Sequence, residues 1–136
     1  MLTKMFNVAA LAGNFILDTI RAPQESYRSA KEHVFKSNTI KAEDSGLTRG
    51  FYSVVAGSYS ASLTIGPTSL LLLGALTTGV AMTPVVGLGC LAGGMMSCGL
   101  ISKGMIALNN KIYTAGEPVK DDIYAPTIES YKKLTR

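Results

Sequence analysis

The residues whose type and spacing bear on chemistry are two cysteines, one histidine and several rows of small side chains. Cys90 and Cys98 are eight positions apart. On one helix that is about 12 Å along the axis, too far for a disulfide. Their neighbours are glycine, leucine and serine, with no histidine or acid, so both read as small apolar packing residues. His33, between Glu32 and Val34, reads as an ordinary surface histidine without a metal or acid/base role. No phosphate-binding G-x-x-x-x-G-K-[ST] loop occurs, and one histidine leaves no assignable Ser/His/Asp set. These residues point away from an enzyme, and no cofactor, metal or small-molecule substrate is expected.

The small residues do point to something, which is close helix contact. Gly89, Gly93 and Ser97 form one row at a spacing of four. Cys90, Gly94, Cys98 and Ser102 form a second beside it. Ser53, Gly57 and Ala61 make a weaker row upstream, and Gly74 with Thr78 another. Each glycine inside a helix in water costs about 1 kcal/mol relative to alanine. In lipid the backbone hydrogen bonds have no water to compete with, and missing side chains let a second helix approach. The expected helix-packing residues are therefore Gly89, Gly93, Gly94, Ser97, Cys98 and Ser102, opposite Gly57, Ala61 and Gly74.

The elements that must position these rows lie in an uncharged run. Residues 1–50 hold seven Lys/Arg and five Asp/Glu, and residues 103–136 hold six and four. The 52 residues from Phe51 to Ser102 contain no Asp, Glu, Lys, Arg or His. A small soluble domain seldom hides so long a stretch from charge, because its helices normally show a charged face to water. As one helix the run would be about 78 Å long, over twice the roughly 30 Å hydrocarbon core. It must turn back. The spacing predicts an all-α fold built on a two-pass membrane hairpin over residues 51–108. The first pass is kinked or split at Pro67 and ends near Thr77, and Phe51–Ile65 either spans or lies on the surface. A turn follows over Thr78–Thr83, with Thr83 as N-cap ahead of Pro84 and the second pass.

Around this core, residues 1–22 read as an amphipathic helix, and Pro23 either ends it or begins the next. Its apolar positions are Leu2, Met5, Phe6, Ala9, Ala12, Gly13, Ile16 and Ile20. Lys4, Asn7, Asn14, Asp18 and Arg21 occupy the other side. Residues 23–50 read as a second, polar helix and a loop. Residues 109–136 read as a polar tail with Tyr113, Tyr124 and Tyr131 as possible anchors and a short helix from Pro126 to Leu134. Gly116-Glu117-Pro118 closes the second pass.

Arg49 flanks one end of the run, and Lys103 and Lys111 the other, so the positive-inside tendency places both termini on the cytoplasmic side of a multi-pass membrane protein. The net charge of +4 is too interrupted by acids to suggest nucleic acid. With no ionisable group in the run, a proton relay or charged-substrate path is not expected. The partners expected are membrane lipid and either further copies of the chain or a membrane complex. The leading expectation is a non-catalytic hairpin anchor or assembly subunit packing through small residues. Two alternatives remain: a holin-like or toxin-like membrane-permeabilising oligomer, with the Ser/Thr-rich stretch Ser53–Ser69 lining a wet lumen, and a soluble helical protein sheltering an apolar hairpin.

Overall fold

The computed structural model describes residues 1–112 and 118–136. Four helices appear in chain order: α1 (Leu2–Ser37), α2 (Gly46–Thr77), α3 (Pro84–Ile112) and α4 (Ala125–Thr135). There is no strand among the described residues. Two of the helices, α2 and α3, are long and apolar enough to cross a membrane.

Local chemistry sets most helix ends. Ser45 caps α2 by accepting the Thr48 amide at 3.2 Å. Gly79, with φ +76°, turns the chain out of α2 in a conformation that a side chain would strain. The Thr83 hydroxyl accepts the Val86 amide at 3.3 Å, and Pro84 takes the first helical position of α3.

The chain departs from the expected layout at its first proline. Residues 1–22 and 23–50 do not divide at Pro23, because α1 continues through it to Ser37. Interior proline removes one backbone hydrogen bond and crowds the preceding turn. The proline turn is packed against α2: Ser60 Oγ donates to the Pro23 carbonyl at 2.7 Å, and Ala22 is fully buried. Likewise α2 is helical on both sides of Pro67 and is not split there. Residues 118–136 are not a free tail, since Val119, Ile123 and Tyr124 are buried. Tyr113 and the Gly116-Glu117 part of the expected terminator lie outside the described residues.

Named contacts fix the register of the bundle. Ser60 lies by Cys98, Thr64 and Thr68 by Gly94, and Leu71 by Gly93, so position falls along α3 as it rises along α2. On α1, Pro23 meets Ser60 and Tyr27 meets Gly57, while Ala22 meets Gly99 and Ser26 meets Ser102. Helix α1 therefore runs against α2 and alongside α3 in the same direction. The C-terminal segment then returns along α1, pairing Thr127 with Asp18 and Ser130 with Asn14.

The interior mixes small or apolar residues, among them Ala22, Ala56, Cys98, Ile106 and Ile123, with polar ones, and most large aliphatic side chains of α2 and α3 lie outside. The buried polar residues are Asp18, Thr19, Ser26, Ser29, Ser60 and Ser102. Leu70 is 71% exposed and Ile65 63%, and Phe51, Val54, Leu73, Leu76, Val85, Leu88 and Leu100 are similarly open. Only 6% of the apolar stretch of α2 is buried, and 28% of that of α3. An apolar cluster of buried residues, Ala22, Ile106, Ile123 and Tyr124, joins α1, α3 and the C-terminal segment.

Candidate functional site

The helix contacts are built where side chains are smallest. On α3, Cys90, Gly94, Cys98 and Ser102 are all buried, at a spacing of four that puts them on one face. A Cβ on Gly94 would lie 2.8 Å from the Thr64 carbonyl oxygen and press on the Thr68 hydroxyl and its Cβ. Cys98 Sγ is 3.7 Å from the Ser60 carbonyl. Ser102 shares a 2.5 Å hydroxyl–hydroxyl hydrogen bond with Ser26, which lies on α1 and not on α2.

The neighbouring row is placed differently. Gly89 is exposed, and nothing lies within 4 Å of where its Cβ would stand. A Cβ on Gly93 would meet only the Leu71 Cδ1 methyl, at 2.6 Å. Ser97 Oγ donates to the Gly93 carbonyl of its own helix at 2.8 Å.

On α2, a Cβ on Gly57 would lie 3.7 Å from the Tyr27 ring of α1, Ala61 is exposed, and Gly74 is open near the helix end. The residues that meet α3 and α1 most closely lie one position earlier, in the row Ala56, Ser60, Thr64 and Thr68. Ala56 and Ser60 are buried. Thr64 and Thr68 hydroxyls donate to the carbonyls four residues back, Ser60 at 3.1 Å and Thr64 at 2.7 Å. This back-bonding satisfies the two half-buried hydroxyls within their own helix. The spacing of four in that row was visible in the sequence, but glycine drew attention to the adjacent one.

Gly99 is a contact that the small-residue rows missed. Its Cβ would stand 2.7 Å from the Tyr124 ring, 3.0 Å from Ala22 Cβ and 3.5 Å from Ile123. No local pattern marks it, because its partners come from distant parts of the chain.

Polar bonds fasten the C-terminal segment along α1 and α3. The Asp18 carboxylate accepts both the backbone amide and the hydroxyl of Thr127. Thr19 and Tyr124 share a hydroxyl hydrogen bond of 2.9 Å, and Asn14 donates to Ser130. Lys103 donates to Asp121 at 2.9 Å and to the Ile123 carbonyl at 2.8 Å. Arg28 reaches Asp122 at 2.9 Å and Glu25 at 2.6 Å. The Arg28 hydrogen bond holds the Asp122 carboxyl below its ordinary range, and Asp122 raises Arg28 in turn. Of the expected membrane-flanking cations, Arg49 and Lys111 are exposed, whereas Lys103 is engaged in this fastening.

Comparison with protein-family models, with curated proteins and with solved structures gives no match.

At the charged end of the bundle, a cavity of about 180 Å³ lies among α1, α2 and α3, lined by Val34, Val55, Tyr59, Met105 and Ile106. His33 lines it, not the open surface. Its Nε2 is buried without a hydrogen-bond partner, and burial pushes the imidazole below its usual range. Cys90 and Cys98 are free thiols, both buried. Among the described residues no three His, Cys, Asp or Glu side chains gather as a metal site.

Proposed function

We propose that this chain is a non-catalytic integral membrane protein, an anchor or assembly subunit whose α2 and α3 form a two-pass helical hairpin packed through small residues. The observation that carries this reading is the outward placement of the large aliphatic side chains of α2 and α3. Hydroxyls and a carboxylate are buried and hydrogen-bonded, while the large aliphatic side chains of two long helices point outward. Water opposes that arrangement, at roughly 25 cal/mol per Å² of apolar surface. Hydrocarbon favours it, because lipid leaves polar groups to be satisfied inside the protein. Exposed Arg49 and Lys111 at one end of the pair support a cytoplasmic placement of that end.

Carbonate-washed membrane fractionation tests the reading. Retention in the pellet until detergent is added is expected. Release into the supernatant would overturn it in favour of a soluble bundle covered by a partner.

The pore alternative draws less support. Its proposed lumen lining depends on hydroxyls of residues 53–69, yet Ser60, Thr64 and Thr68 face neighbouring helices or their own backbone. Dye release from liposomes separates anchor from pore. The anchor reading expects none at high protein-to-lipid ratio.

A further inference from the structure

We infer that the first half of α1, Leu2–Ile20, is a third lipid-contacting segment, and that Met1 emerges on the side of the Thr78–Thr83 turn. This inference rests on the membrane reading of α2 and α3. It departs from the expectation that both termini share the cytoplasmic side.

Register carries the argument. Ala22 stands beside Gly99 and Ser26 beside Ser102. Thr19, Ile16 and Phe15 share an apolar groove with Met95, Leu91 and Leu88. Positions on α1 and α3 thus advance together. Continued at the same rise, Leu2 comes level with the Thr78–Thr83 turn. From Leu2 to Ile20, α1 therefore occupies the height at which α2 and α3 are uncharged. An interfacial helix would lie across the ends of the other two and would not run along them.

The chemistry of the segment agrees with that height. Lys4 and Arg21 are 17 positions apart, about 25 Å along a helix at about 1.5 Å per residue. That approaches the roughly 30 Å hydrocarbon thickness, and long basic side chains reach further towards headgroups. Between them Met5, Phe6, Ile16 and Ile20 point outward, with Phe6 72% and Ile20 60% exposed.

Two polar groups of this half, Asn14 and Asp18, are matched by α4. Asn14 bonds Ser130, and Asp18, the one charge between Lys4 and Arg21, bonds Thr127. Ionisable groups at membrane depth take this form, facing protein partners and not lipid. On α4 itself, Glu129 pairs with Lys133 at 3.4 Å. By the pairing of Thr127 with Asp18 and Ser130 with Asn14, Lys132 and Lys133 stand level with Leu11 and Ala12, on the α4 side of α1 and away from its outward face of Phe6, Ile16 and Ile20.

Single cysteines read by a membrane-impermeant maleimide in sealed vesicles of one orientation test the inference. Ala81→Cys marks the turn, Ala42→Cys marks the opposite end, and Thr3→Cys is the reporter. The parent chain, whose own two cysteines are buried, is the blank. The expected result is that Thr3→Cys follows Ala81→Cys, both reacting from one side while Ala42→Cys reacts only from the other. Thr3→Cys following Ala42→Cys would overturn the third segment and leave the two-pass reading standing. Equal labelling of Ala81→Cys and Ala42→Cys without detergent would remove the two-pass reading, and the inference with it.

Discussion

On α3 the row Gly89, Gly93, Ser97 and the row Cys90, Gly94, Cys98, Ser102 differ by a single position, a turn of about 100° around the helix axis. Both consist of small residues spaced by four. The second is buried from end to end. In the first, Gly89 is open, Gly93 meets only the end of a leucine, and Ser97 bonds its own helix. Small size therefore permits close contact without assigning it. What distinguishes the rows is whether a neighbour's backbone stands opposite, as the Thr64 carbonyl does at Gly94.

Adding one methyl at each glycine sharpens that contrast, and the largest effect is expected at Gly94. Gly94→Ala forces a Cβ against the Thr64 carbonyl, which cannot rotate away, and overpacking of this kind costs about 1–3 kcal/mol. Gly93→Ala costs less, because the Leu71 methyl can move. Gly89→Ala meets nothing and is neutral or stabilising by up to about 1 kcal/mol. Denaturation in detergent micelles, followed by circular dichroism, ranks the three. Equal losses at all three sites would break the comparison.

The polar end of the buried row gives the next effect. Ser102→Ala leaves the Ser26 hydroxyl buried and unpaired, which costs about 1–3 kcal/mol. Adding Ser26→Ala should recover part of the loss, and a double-mutant cycle measures how much. Additive losses would mean that the hydroxyls are not coupled.

A smaller effect is expected from pH. Burial lowers His33, so the folded imidazole binds its proton less readily than the unfolded one. Its contribution is fully present above the unfolded imidazole value and is lost as pH falls through the folded one. The unfolding midpoint should fall between about pH 8 and about pH 5, and His33→Gln should flatten that slope. Asp122, also lowered, acts in the same direction but in the more acidic carboxylate range, so the two windows separate. The smallest change belongs to Ser97→Ala, which removes a bond within one helix and should stay within about 0.5 kcal/mol.

Much of the architecture could be read in the residues. The uncharged run, the Thr83-Pro84 start of α3 and the turn before it follow from local rules of charge, capping and proline placement. Pro23 could not be read that way, because α1 continues through it and packs there against a residue 37 positions away. Nor could the inward turn of Asn14 and Asp18. An amphipathic pattern shows that a helix has two faces but not which solvent each face meets.

By itself, then, the sequence determined the number of long apolar helices and where charge is excluded, since both depend on residues close together in the chain. The tertiary structure alone decided which small-residue row is buried, that Gly99 receives Tyr124 and Ala22, and that α4 returns along α1. Those outcomes depend on the rotation and register of whole helices. Rotation and register are set by the sum of many distant contacts, and no local window of residues contains it.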